Sequence, residues 1–103
     1  MSDYQSTTST TINLSDHNGL VITVTVSVPD YKSAKKLIER NEDLKSELPG
    51  PQLLYYLVLI KELSQIPINN RELTNIFTNS WRNASVEYLN TFVVLALQLQ
   101  LED

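Results

Sequence analysis

The sequence predicts an α+β domain of two layers. A small antiparallel sheet, formed by an N-terminal β-hairpin and a C-terminal strand, packs on one face against about three helices, in the order β-β-α-α-α-β. Three observations predict it. Leu20, Ile22, Val24, Val26 and Val28 alternate with less apolar neighbours, the period-two signature of a strand with one buried face. Tyr31, Ala34, Leu37, Ile38, Leu44 and Leu48 then fall at helical spacing among charged residues, as in an amphipathic surface helix. Finally, the 103 residues are 42% hydrophobic and 19% charged, a globular composition at the size of one domain with one core.

Residues 1–9 are rich in Ser and Thr and are expected to form a disordered N-terminal tail, which leaves 10–103 as a single α+β domain. Thr10, Ile12 and Leu14 carry the alternation of the first strand. Asn18-Gly19 in the turn favours a two-residue loop by composition, but parity argues otherwise. Directly opposed residues share a face, so apolar must meet apolar. A loop with an odd number of residues, such as His17-Asn18-Gly19, sets Leu14 opposite Ile22, Ile12 opposite Val24 and Asn13 opposite Thr23. Gly19 then takes the left-handed position of a bulge. Pro29 ends the second strand and Asp30 caps the first helix, which Pro49-Gly50-Pro51 terminates.

The second helix begins at Pro51. Residues 53–60 are apolar on every side, so this helix must be surrounded; a third helix or a partner subunit has to complete its cover. Pro67 breaks it. Asn69 with Glu72 forms a capping box for a short third helix whose apolar face is Leu73, Ile76, Phe77 and Trp81. Residues 80–85 read as a connection or a loosened helix. At the C-terminus Val93, Leu95, Leu97, Leu99 and Leu101 alternate, which favours a strand over 91–101. That strand would enlarge a hairpin that is marginally stable alone. A helix burying Val86, Leu89, Val93 and Ala96 is the competing assignment, supported by the helix propensity of Ala, Leu, Gln and Glu.

The chemistry expected from these residues is sparse. The chain has no cysteine, which removes disulfides, thiolate catalysis and cysteine-held metals. Its N-terminal residues show no basic start or apolar stretch, and the longest apolar run, 53–60, is too short for a bilayer that needs about 20 residues. A cytoplasmic protein is expected, and the Asn-x-Ser sequons at Asn13 and Asn83 are read as chance. The single histidine, His17, lies beside Asp16 in the turn and is expected to be a solvated turn residue. Glu62, Glu72 and Glu87 stand apart from the charged helix face, yet none has a partner that marks it for acid–base work. No phosphate loop, nucleophile motif or metal-ligand spacing occurs. No catalytic, cofactor-binding or metal residue is therefore assigned, the chain is expected not to be an enzyme, and no small-molecule substrate is identified.

The net charge is −4, which opposes binding to phosphate backbones. Lys32, Lys35, Lys36, Arg40 and Lys45 cluster, but Glu39, Glu42, Asp43 and Glu47 are interleaved with them, as on a solvated helix face. Trp81 and Arg82 are of types common at binding hot spots, although Trp81 is more simply a core cap; Tyr55 and Tyr56 read as core or interface packing. The leading expectation is a non-enzymatic protein-interaction or regulatory module, a homodimer or a subunit of a complex. The alternative is an acidic helix-turn-helix regulator: the helices about 52–65 and 70–81 resemble that motif in outline, with Arg71, Asn75, Thr78 and Asn79 on the polar side of the second.

Overall fold

A computed structural model describes residues 9–15, 19, 21–44 and 47–100. Strands β1 (Ser9–Ser15) and β2 (Val21–Ser27) form an antiparallel hairpin. Helices α1 (Tyr31–Arg40), α2 (Gly50–Leu63), α3 (Asn70–Asn83) and α4 (Val86–Gln98) follow, with one 3-10 turn at Glu42–Leu44. The hairpin has the expected register, with Ile12 opposite Val24, Asn13 opposite Thr23 and Leu14 opposite Ile22. Thr23 donates from Oγ1 to Asn13 Oδ1 across the outer face (3.1 Å). Gly19 has φ of 83°, the left-handed conformation glycine adopts without a Cβ penalty. His17, Asp16 and most of the expected disordered tail over 1–9 lie outside the described residues.

Ile12, Val24 and Val26 turn inward and are buried, while Thr11, Asn13, Thr23 and Thr25 face water. Helices thus cover one face of the sheet, in a slab 43 × 41 × 21 Å. Asp30 caps α1 as expected: the Ser33 amide donates to Asp30 Oδ1 (2.8 Å). This bond, aided by the Ser33 hydroxyl and by Lys32 and Lys36, holds the carboxyl below its ordinary value. Helix α1 is shorter than its apolar spacing implies. It ends at Arg40, where the Asn41 side chain donates to the Leu37 carbonyl (2.8 Å), an alternative to helical continuation that Asn readily offers. Leu44 and Leu48 reach the core from the irregular segment beyond, and Tyr31 is exposed rather than part of the buried stripe.

Helix α2 is the centre of the domain. Leu53, Leu54, Tyr55, Leu57, Val58, Leu59 and Leu63 are all buried, and β2, α1, α3 and α4 each pack against it. Tyr55 is fully buried, and four rings surround it: Trp81 at 5.4 Å, Phe92 at 5.6 Å, Phe77 at 5.9 Å and Tyr88 at 6.1 Å between centroids. Its hydroxyl donates to Ser80 Oγ (2.5 Å), which in turn donates to the Ile76 carbonyl (2.6 Å). The Tyr88 hydroxyl donates to the Val26 carbonyl (2.9 Å) and ties α4 to the sheet. Burial of both phenols is tolerated because each finds a partner.

The described residues form four α-helices where about three were expected, and they include no C-terminal strand: α4 occupies most of the 91–101 segment. Ser85 caps it, accepting from the Tyr88 amide (3.1 Å). Tyr88, Phe92, Leu95 and Ala96 are buried at helical spacing, while Val86 and Val93, placed inward by the competing helix assignment, are exposed. The alternation at 93, 95, 97 and 99 arises because two helical stripes, one inner and one outer, interleave. Residues 80–83 complete α3, and only Ala84 and Ser85 break the chain before α4.

Leu59 is fully buried at the helix-to-helix core, so Leu59→Ala is expected to destabilise the fold by about 2–5 kcal/mol in urea titrations. A pH dependence also follows. Burial, with a contribution from Tyr55, pushes the Tyr88 phenol well above its ordinary 10.0. Below that pH both states keep the proton. Above it the unfolded chain sheds a proton that the folded chain retains, so stability falls as pH rises. Tyr88→Phe is expected to cost about 1 kcal/mol at neutral pH and to flatten the alkaline decline, both read from urea midpoints across the pH series.

Candidate interaction surfaces

The polar side chains expected to lack a site are scattered. Glu62, Glu72 and Glu87 are exposed and lie on three different helices. Glu72 completes the capping box, accepting from the Asn69 amide (3.3 Å) while Asn69 Oδ1 accepts from the Glu72 amide (2.8 Å). Among the described residues no group of acidic or histidine side chains could hold a metal ion, and no buried side-chain nitrogen or oxygen is without a hydrogen-bond partner. No described helix is long and apolar enough to cross a membrane. Trp81 is half-buried on Tyr55 and Phe92, so it caps the core, and Arg82 beside it is exposed. Tyr56 packs edge-on to Phe77 (5.2 Å).

Two surfaces stand out instead. The first is the outer side of α4. Val86, Val93, Val94 and Leu97 are exposed, at 68%, 38%, 52% and 70%. With Asn90 they fall within an arc of roughly 100° at 3.6 residues per turn, opposite the buried Tyr88, Phe92, Leu95 and Ala96. Positions 86, 90, 93 and 97 follow the alternating four- and three-residue steps of a coiled-coil seam, with Asn90 at a core-type position. Glu87 is the only charged residue in the helix. An apolar strip on the water side of an already buried helix has no role in the monomer's core.

The second surface is the open edge of β1. The sheet is two-stranded, so among the described residues one edge of each strand has no strand beside it. Along β1 this edge borders a groove of about 330 Å³, lined by residues 10–14 and by Asn75, Ile76, Asn79, Ser80 and Asn83 of α3. Consecutive β1 residues line it, so the strand presents its edge there and not one face. No lining residue is charged. A second groove, of about 570 Å³, runs beside β2 and the end of α2, where Lys61 and Glu62 stand.

No family model, curated protein or solved structure matches this chain. What the surfaces can do therefore follows from their own chemistry. The lining of the β1 groove holds no titratable group, while Lys61 and Glu62 line the groove beside β2.

Of the base-reading candidates, Asn75 and Asn79 line the β1 groove, while Arg71 and Thr78 are exposed elsewhere on α3. Sequence reasoning missed Asn83 as the third member of this row and missed the outer face of α4. Both carried a signal: asparagines every fourth residue over 75–83, and the 86, 90, 93, 97 spacing, which becomes visible once the segment is treated as a helix.

Proposed function

We propose that this chain is a non-enzymatic protein-interaction or regulatory module that acts as a homodimer or as a homodimeric subunit of a complex, with the outer face of α4 as its self-contact. The carrying observation is the strip Val86, Val93, Val94 and Leu97, left exposed on a helix whose other side is fully used. Removing such a strip from water is favourable by about 25 cal/mol per Å² of apolar surface. A second copy suits it by charge. The chain is acidic, with net charge −4, and like charges brought together oppose association. This strip is uncharged, with Glu87 at its margin, so two copies can meet there without that penalty. Asn90 within the seam can pair with its counterpart and fix the register. A cytoplasmic setting accords with a cysteine-free chain built without disulfides.

The helix-turn-helix reading has weaker support. Residues 64–69 separate α2 from α3, more than the about three to four residues usual for that motif. Asn75 and Asn79 are turned toward β1. Mobility-shift assays with random duplex DNA at about 50 mM salt, where backbone contacts are strongest, are expected to show no complex; a shift that fades with salt would restore that reading.

The main reading is tested by sedimentation equilibrium. The wild type is expected to associate at micromolar concentrations, and Leu97→Asp to be monomeric with an unchanged helix signal, because Leu97 is a surface residue of the monomer. A strictly monomeric wild type at high micromolar concentration sinks the proposal.

A further inference from the structure

The groove beside β1 has the geometry of a strand-addition site. Its two walls match in length: residues 10–14 of β1 extend about 13 Å at 3.3 Å per residue, and Asn75 to Asn83 extend about 12 Å at 1.5 Å per residue. They also match in period. Asn75, Asn79 and Asn83 recur every fourth residue, a step of about 6 Å along a helix, close to the roughly 6.6 Å between alternate residues of a strand. A strand laid between the walls would pair its backbone with β1 and present every second side chain to the asparagine row. None of the three asparagine side chains is hydrogen-bonded to another described residue. Each offers both a donor and an acceptor.

We infer that this groove binds an extended, uncharged peptide segment of another protein, carrying Ser, Thr, Asn or Gln at alternate positions. β1, with the sequence STTINLS, has no charge and no proline, so it carries neither of the side-chain types that commonly block edge pairing. The uncharged lining gives a charged side chain no counter-ion, which favours neutral hydrogen-bonding segments over acidic or basic ones. A second copy is the poorer occupant. α3 borders the open edge of β1, so pairing two such edges would drive each α3 into the other copy, whereas a lone strand meets no such obstacle. Strand addition of this kind takes its affinity from main-chain bonds and its selectivity from alternate side chains. The site is separate from the α4 face, so the two proposals can fail independently.

The test is a display library of random nonapeptides selected on the immobilised full chain, with enriched sequences synthesised and measured by fluorescence anisotropy. Neutral sequences with alternating Ser, Thr, Asn or Gln are expected. Asn79→Lys, at an exposed position, is expected to weaken them about tenfold, as is N-methylation of the peptide at alternate amides in one phase only, each a loss of one or two hydrogen bonds. Leu97→Asp is expected to leave binding unchanged. The proposal is overturned if no such class is enriched, if binding ignores both Asn79→Lys and methylation phase, or if Asn79→Lys instead dissociates a dimer of the chain. A chain that dimerises through α4 and enriches no strand peptide loses this inference alone.

Discussion

Residues 53–60 of α2 have no polar side, so this stretch needs cover on nearly every side, and that requirement places the other elements. β2 and α1 cover part of it; α3 and α4 cover the rest. Tyr55 is where these demands converge, because its ring touches aromatic side chains from both α3 and α4 while its hydroxyl must still find a partner. Ser80 supplies the partner from within α3, and its own proton goes to the Ile76 carbonyl one turn back. The arrangement keeps the core free of buried charge. With no charged side chain buried among the described residues, the core depends on packing and a few neutral hydrogen bonds.

How much of this was legible depended on whether local rules had competitors. The hairpin register was legible because parity leaves no freedom once apolar residues must share a face, and Asp30 and Asn69 were legible as caps because nothing else satisfies a helix's first amides so directly. The all-round apolar character of α2 correctly required further cover, and α3 and α4 provide much of it within one chain. The C-terminus failed for a specific reason. α4 buries Tyr88, Phe92, Leu95 and Ala96 while leaving Val86, Val93 and Leu97 in water. Two apolar stripes on one helix sum to a period of two over residues 93–99. Helix propensity and the Ser85 cap decide against the strand, because a helix bonds its own backbone and needs no neighbour.

The surfaces were less legible than the fold, since both depend on which side of an element remains uncovered. Asn75 and Asn79 attracted notice as possible readers of bases, and it is their placement in a groove with β1 that underlies their inferred role against the alternate side chains of an added strand. Likewise an apolar residue such as Leu97 reads as core in any sequence; only its exposure in the fold sets it apart from the core. The hairpin itself remains two-stranded, below the size at which sheets are independently stable. It is held by Tyr88, whose hydroxyl reaches the Val26 carbonyl from α4, and by the contact of β2 with α2.

Helix α3 differs from its neighbours in having no fully buried residue. It lies on α2 through Leu73, Ile76, Phe77 and Trp81, each only partly covered. Elements held this lightly open locally at a free energy well below that of global unfolding. The same helix forms one wall of the β1 groove and the lid over Tyr55. A strand bound there, as inferred above, would bridge α3 to β1 and oppose that opening, and by linkage would slow amide exchange in α3.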